Sequence, residues 1–216
     1  AIEKVIIAIP TAAGKLIRAV NEVCEVEDVE TKVMPSVAEL LNGRVQVNQL
    51  RDVQIEDLLR RDPVDTDFNA VRGLIRGKTV LVTGGGGSIG SELCRQIWSC
   101  DPKQLIIVGH GENSVFSINA ELRALRPLPG ELLAVIADIR FPKRINAVFE
   151  QFQPDIVFHA AAHKHVPLME HNPSEAITNN VFGTRNVLNA AKLVNVERFV
   201  MISTDKAVNP TSVMGV

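Results

Sequence analysis

The chain has 216 residues, 46% of them hydrophobic, and a formal net charge of -2. Such a length holds about one to two domains, and the mix of apolar and charged residues describes a globular chain with a real core. The near-neutral charge removes the electrostatic case for nucleic acid as a main partner, and no apolar run has the length of a transmembrane helix or the form of a signal peptide. Cys24, Cys94 and Cys100 are scattered and lack paired spacing, so neither a disulfide framework nor a zinc site is expected, and a reducing cytosol fits.

The chain begins without methionine on a strand-like run, Val5 to Ile9, which leads us to expect further protein upstream. Residues 1 to 48 read as part of a small α/β domain. A strand at Val5 to Ile9 is followed by a helix from Thr11 to about Val23, with Leu16, Ala19, Val20 and Val23 as its apolar face. A short strand, Thr31 to Met34, and a short helix, Ser36 to Leu41, complete it. Residues 49 to 77 carry both charge signs without a sustained period and read as a linker, with one short amphipathic helix near Leu50 to Leu59 ended by Pro63.

From Lys78 the pattern becomes strand and helix in alternation. Thr79 to Thr83 is an apolar, β-branched run that predicts a strand buried on both faces. Gly84 to Gly87 follow, and Ser88 to Ile97 resumes helical spacing with Ile89, Leu93 and Ile97 on one face. Strand, glycine turn and helix form the context in which a glycine motif binds a dinucleotide: glycines allow close approach of the pyrophosphate, and helix N–H groups face it. Gly85, Gly87 and Gly90 fit G-x-G-x-x-G, whereas Gly84, Gly87 and Gly90 fit T-G-x-x-G-x-x-G, a register that Thr83 favours. A P-loop is excluded, because Gly77-Lys78-Thr79 precedes the strand and Arg72 stands where its first glycine belongs.

Further strands are expected at Leu105 to Val108, Leu132 to Ile136, Ile156 to His159 and Phe199 to Ser203, with helices at Ser114 to Leu125, Arg144 to Phe152 and Pro173 to Val194. This alternation predicts an α/β fold, a doubly wound parallel sheet with ligand at the carboxyl ends of its strands. At the second strand end the usual ribose-binding carboxylate is replaced by Gly109, with His110, Glu112 and Asn113 nearby, so NAD and NADP both stay open. Asp138 and Ile139 follow the third strand, where a carboxylate can accept the adenine amino group. Ala160, Ala161 and Ala162 let the fourth strand end run close beneath a cofactor. His163, Lys164 and His165 then supply donors suited to a diphosphate; a metal is not expected, since spacing places no third ligand. Ser203, Thr204, Asp205 and Lys206 close the fifth strand with a hydroxyl, a carboxylate and an ammonium where such folds do chemistry.

These stretches, together with Asn179-Asn-Val-Phe-Gly-Thr184 and Ser203-Thr-Asp-Lys-Ala-Val-Asn-Pro-Thr-Ser-Val-Met-Gly215, resemble the polysaccharide-biosynthesis branch of extended short-chain dehydrogenase/reductases. Its members are nucleoside-diphosphate-sugar 4,6-dehydratases and related epimerases, notably those acting on UDP-N-acetylglucosamine. The resemblance covers residues 78 to 216 and implies a Rossmann domain truncated after its fifth strand, preceded by the end of another α/β domain. It implies NAD or NADP held by Thr83, Gly84, Gly87, Ser88, Ile89, Gly90, His110, Glu112, Asn113, Asp138, Ile139, Ala160, Ala161, Ala162, Lys164, Asn180 and Ser203.

In the implied reaction the cofactor takes hydride from sugar C4, a proton leaves C5, water is lost from C6, and the hydride returns to C6. Asp205 would act as acid toward the C6 hydroxyl, Lys206 as base at C5, and Thr204 would hydrogen-bond the C4 oxygen. Met214 occupies the position of the superfamily's usual tyrosine, and a thioether cannot remove the C4 hydroxyl proton, so Asp205 is expected to take it first. The lysine of that dyad would fall beyond Val216, so this fragment itself is expected to be inactive. A nucleotide-sugar epimerase and a non-catalytic dinucleotide-binding module are the alternative readings; Asp205 and Lys206 argue against the second. A homo-oligomer is expected, with a nucleoside-diphosphate sugar as partner, a cytoplasmic location, and membrane attachment only through segments outside this chain.

Overall fold

The computed structural model describes residues 2–9, 14–33, 51–52, 67–125 and 130–215. The chain divides into two compact units, Ala1–Thr66 and Asp67–Val216. The expected helices at Ser36 to Leu41 and Leu50 to Leu59 lie outside the described residues.

Among the described residues of the first unit, β1 (Lys4–Ile7), β2 (Glu30–Val33) and β3 (Arg51–Asp52) form a three-stranded sheet of order β1-β2-β3, with α1 (Gly14–Val26) between the first two strands in the chain. The first pair is parallel and the second antiparallel, which joins residues 51 and 52 to this unit. Its described core is small: Ile7, Ile17 and Val33, with Val20 against them. The buried stripe of α1 is therefore Ile17, Val20 and Cys24, one position later than the sequence pattern suggests, and Leu16 and Val23 face outward.

The second unit begins with α2 (Phe68–Ile75), a helix that the charge pattern of residues 49 to 77 concealed. Its cue is Asp67, whose carboxylate accepts hydrogen bonds from the Asn69 and Ala70 N–H groups at 3.0 Å each and so satisfies two first-turn donors. Then come β4 (Thr79–Thr83), α3 (Ser88–Ser99), β5 (Gln104–Gly109), α4 (Glu112–Leu125), β6 (Glu131–Ile136), α5 (Pro142–Phe152) and β7 (Ile156–His159). The unit continues with α6 (Val166–His171), α7 (Pro173–Ala176), a π-helical turn (Ile177–Gly183), α8 (Thr184–Leu193) and β8 (Arg198–Met201). The five strands form one parallel sheet of order β6-β5-β4-β7-β8, with β4 at its centre. The order reverses on either side of β4, which creates the crevice where ligands of doubly wound sheets bind.

Alternation along the strands feeds two cores. Val80, Val82, Leu105 and Ile107 pack with Ile97, Trp98 and Val115 on one face, while Leu81, Ile106, Val108 and Val157 pack with Ile145, Phe149 and Val187 on the other. Every residue of β4 is buried, as a central strand between two helical layers must be. Phe149 is fully buried among these side chains, so Phe149→Ala is expected to cost about 3–5 kcal/mol in denaturant unfolding. A loss below about 1 kcal/mol would mean that this helix contributes little to the core.

In α3 the buried positions are Gly90, Cys94, Ile97 and Trp98 rather than a stripe that includes Ile89, which is half exposed. The expected helix over Pro173 to Val194 is present but changes pitch at the π turn, and α6 ahead of it is not among the expected elements.

Candidate functional site

The turn after β4 is built on contacts that only glycine permits. Gly84 has φ +68°, and a Cβ there would lie 2.7 Å from the Ala161 nitrogen and 2.8 Å from the Ala160 carbonyl carbon. A Cβ on Gly87 would lie 3.2 Å from the Gly84 oxygen, and one on Gly90 would overlap that same oxygen. Gly87 and Gly90 thus gather about the Gly84 carbonyl, while a Cβ on Gly85 would lie 2.6 Å from Ile107 Cγ2 and one on Gly86 2.5 Å from Ser114 Oγ, so all four glycines of the turn are closely packed. The Gly85 N–H donates to Val108 O at 3.0 Å, the Gly87 N–H to Gly84 O at 2.9 Å and the Ser91 N–H to Gly87 O at 2.8 Å, tying the turn to β5 and starting α3. The first-turn N–H groups of α3, which no helix satisfies internally, open at this end.

Two adjoining clefts of about 220 and 250 Å³ lie over the carboxyl ends of the strands and share Gly87, Ala160, Ala162 and His163. The first also holds Gly84, His110, Ile139 and Ala161 of the expected residues. The second holds Ser88, Ile89, Gly90 and Lys164, so the outward-facing Ile89 has a place. The remaining expected residues lie elsewhere. Thr83 is buried behind the turn, and Glu112 and Asn113 are exposed at the start of α4. The Asp138 carboxylate accepts from Arg140 Nε at 3.0 and 3.1 Å and from Nη2 at 2.6 Å, which holds its pKa below the ordinary carboxylate value. Asn180 faces the polypeptide: its amide accepts from the His163 N–H at 2.8 Å and donates to His163 O at 2.9 Å.

Ser203, Thr204, Asp205 and Lys206 are exposed beyond β8 and line neither cleft. Asp205 accepts from Thr204 Oγ1 at 3.0 Å and from Lys206 Nζ at 3.1 Å; the lysine first and the hydroxyl second keep its pKa low. Met214 is half-buried, and the chain about it folds back so that a Cβ on the neighbouring Gly215 would overlap the Lys206 carbonyl.

Several lining residues were not anticipated. Gly109, Gly111 and Ser114 line the first cleft, and the G-x-G spacing at the strand end was their cue. Asn179 also lines it although its residue is only 6% exposed, because the π turn sets two successive amides toward the strand ends, one to the cleft and one to His163. No periodicity in the sequence signals that turn.

His159 is the buried strut of the site. Its Nδ1 lies 2.6 Å from Thr83 Oγ1 and its Nε2 2.9 Å from Thr184 Oγ1, joining β4, β7 and α8. Burial pushes its pKa down from 6.5 to about 4, so the ring is neutral in the folded protein at pH 7. The unfolded chain takes up a proton near 6.5 and the folded one near 4, so this contribution is complete above pH 6.5 and lost on acidification through 4, roughly 3 kcal/mol in all. Unfolding free energy should therefore fall more steeply between pH 7.5 and 4 for the wild type than for His159→Gln; equal slopes would contradict a neutral buried ring.

The fold, strand order and glycine turn define a Rossmann domain of the extended short-chain dehydrogenase/reductase type. Within that class the chain belongs to the family described as polysaccharide biosynthesis protein, whose model matches residues 80–216. It is 52% identical over 214 residues to the capsular polysaccharide biosynthesis protein CapD of Staphylococcus aureus, covering 99% of this chain and 36% of that relative. It is 33% identical over 143 residues to an inverting UDP-N-acetylglucosamine 4,6-dehydratase of Campylobacter jejuni, covering 66% of this chain and 41% of the relative. The structure of a UDP-glucose-4-epimerase from Stenotrophomonas maltophila, with bound NAD and formylated UDP-arabinopyranose, is similar at a TM-score of 0.54 and 29% identity. That match covers 60% of this chain and 38% of the epimerase. The chain thus spans well under half the length of these relatives.

Among the described residues, no group of three His, Cys, Asp or Glu could hold a metal ion, and no helix is long and apolar enough to cross a membrane.

Proposed function

We propose that this chain is the NAD(P)-binding part of a nucleotide-sugar 4,6-dehydratase, acting on a UDP-N-acetylhexosamine in surface polysaccharide biosynthesis. The observation that carries the reading is the Thr204, Asp205 and Lys206 cluster beyond β8, in the same sheet whose β4 end bears a cradle closed to any side chain at Gly84 and Gly90. The cradle suits a pyrophosphate because Gly84 and Gly90 pack without a Cβ against the backbone of Ala160, Ala161 and Gly84, and this close packing brings the first turn of α3 to the cleft. The likeness to the Campylobacter dehydratase supports the sugar class.

A bound nicotinamide supplies hydride acceptance and return. The residues of this chain handle the protons. Asp205, kept ionised by Lys206 and Thr204, is suited to accept the proton of the sugar C4 hydroxyl, a task that Met214 cannot perform. The same carboxyl then returns that proton to the departing C6 hydroxyl; Lys206, once its ammonium proton has passed to solvent, takes the C5 proton as the neutral amine and gives it back to C5 when the hydride returns to C6, and Thr204 orients the C4 oxygen.

The test is incubation of the natural full-length protein with UDP-N-acetylglucosamine and NAD(P)+, followed by mass spectrometry. A product lighter by one water supports the dehydratase. The likeness to the epimerase structure favours a second reading, and an unchanged mass with inverted sugar stereochemistry would select it.

A further inference from the structure

Glu170 is an exposed carboxylate on α6 that lines neither cleft, although its neighbours Leu168 and Met169 both line the second. It reaches a distant part of the chain instead. Its Oε1 accepts from the Val213 N–H at 2.8 Å, a contact that spans 43 residues.

Val213 belongs to a segment that closes on itself around the proton-handling cluster. Asp205 to Ala207 form a short helical turn, in which the Lys206 N–H donates to Thr204 Oγ1 at 3.3 Å and the Val208 N–H to Asp205 O at 3.0 Å. The returning chain makes a second turn, with the Gly215 N–H on Ser212 O at 3.0 Å. Gly215 packs so closely on the first turn that a Cβ would overlap the Lys206 carbonyl oxygen. A hydrogen bond that fixes Val213 therefore also fixes Lys206, through Gly215. The acceptor is a carboxylate, which holds an N–H more strongly than a neutral oxygen does.

We propose that Glu170 is a positioning residue: it anchors to α6 the segment that presents Thr204, Asp205 and Lys206. Its part in turnover rests on the dehydratase reading given above, whereas the anchor itself does not.

Glu170→Ala and Glu170→Gln in the natural full-length protein test the proposal, by hydrogen exchange and by turnover of UDP-N-acetylglucosamine. In Glu170→Ala the backbone amides of residues 205–215 should exchange about tenfold faster, because their tie to α6 is lost. Glu170→Gln keeps an accepting oxygen and should stay within about threefold of the wild type. Turnover should follow the same order, with kcat about tenfold lower in Glu170→Ala and within about threefold in Glu170→Gln. KM should stay within about twofold in both, since misplaced reacting groups slow the chemical step without removing uniform binding. Unchanged exchange in Glu170→Ala would overturn the anchor, and unchanged kcat would overturn the positioning role. Equal losses of kcat in both variants would also overturn it, by assigning the effect to the charge in place of the hydrogen bond. A wild type that releases no water overturns the dehydratase reading, and the exchange rates then support or overturn the anchor by themselves.

Discussion

Gly90→Ala is expected to weaken dinucleotide binding by a factor of about 100 or more, and to cost roughly 1–3 kcal/mol of stability. The added Cβ falls on the Gly84 carbonyl, where no rotamer change can relieve it because both groups belong to the backbone. Helix α3 must then move away from β4, and its first-turn N–H groups leave the position from which they address the cleft. Calorimetry for binding and denaturant unfolding for stability separate the two effects. Gly73→Ala is the matched control: its Cβ would meet nothing within 4 Å, and helix propensity favours the change by about 1 kcal/mol. Unaltered dinucleotide affinity in folded Gly90→Ala would show that the close packing of this turn is irrelevant to binding.

Asp205→Asn in the natural full-length protein is expected to lower kcat about 10²- to 10⁴-fold. An amide is isosteric with the carboxylate, keeps an oxygen for Thr204 and Lys206 to donate to, and cannot carry the C4 proton to the C6 oxygen. The side chain is 87% exposed, so stability should change by less than about 0.5 kcal/mol. Dinucleotide affinity should stay within about twofold, because Asp205 lines neither cleft. A stopped-flow trace of reduced nicotinamide would distinguish loss of C4 oxidation from loss of dehydration. Full turnover by Asp205→Asn would remove this carboxylate from the mechanism and return the proton-transfer role to residues outside the cluster.

The sequence determined the framework because its signals are local. Continuous β-branched runs at Thr79 to Thr83 and Leu105 to Val108 are legible as buried parallel strands, since both faces are covered and no polar alternation is needed. Four glycines between a strand and a helix mark a turn of close backbone approach, because few other residues tolerate it. Family membership was legible for the same reason: the motif residues cluster at strand ends in chain order.

What tertiary structure decided depends on residues distant in sequence. That Gly84 has no room for a side chain follows from Ala160 and Ala161, which three helices separate from it in the chain. The buried stripes of α1 and α3 keep Val20 and Ile97 of the pattern read in sequence but take Ile17, Cys24, Gly90 and Cys94 in place of neighbours such as Leu16, Val23 and Ile89, because a helix turns 100° per residue and neighbouring apolar positions compete for the same core. Helix α2 was concealed by its charged surroundings, though its Asp67 cap is local. Neutral His159 between Thr83 and Thr184, and Asn180 turned onto the His163 backbone while Asn179 lines the cleft, exist only once β7 is flanked by β4 and the π turn. Spacing along the chain records which residues can reach the strand ends; packing from three directions selects which of them line the cleft and which hold its walls.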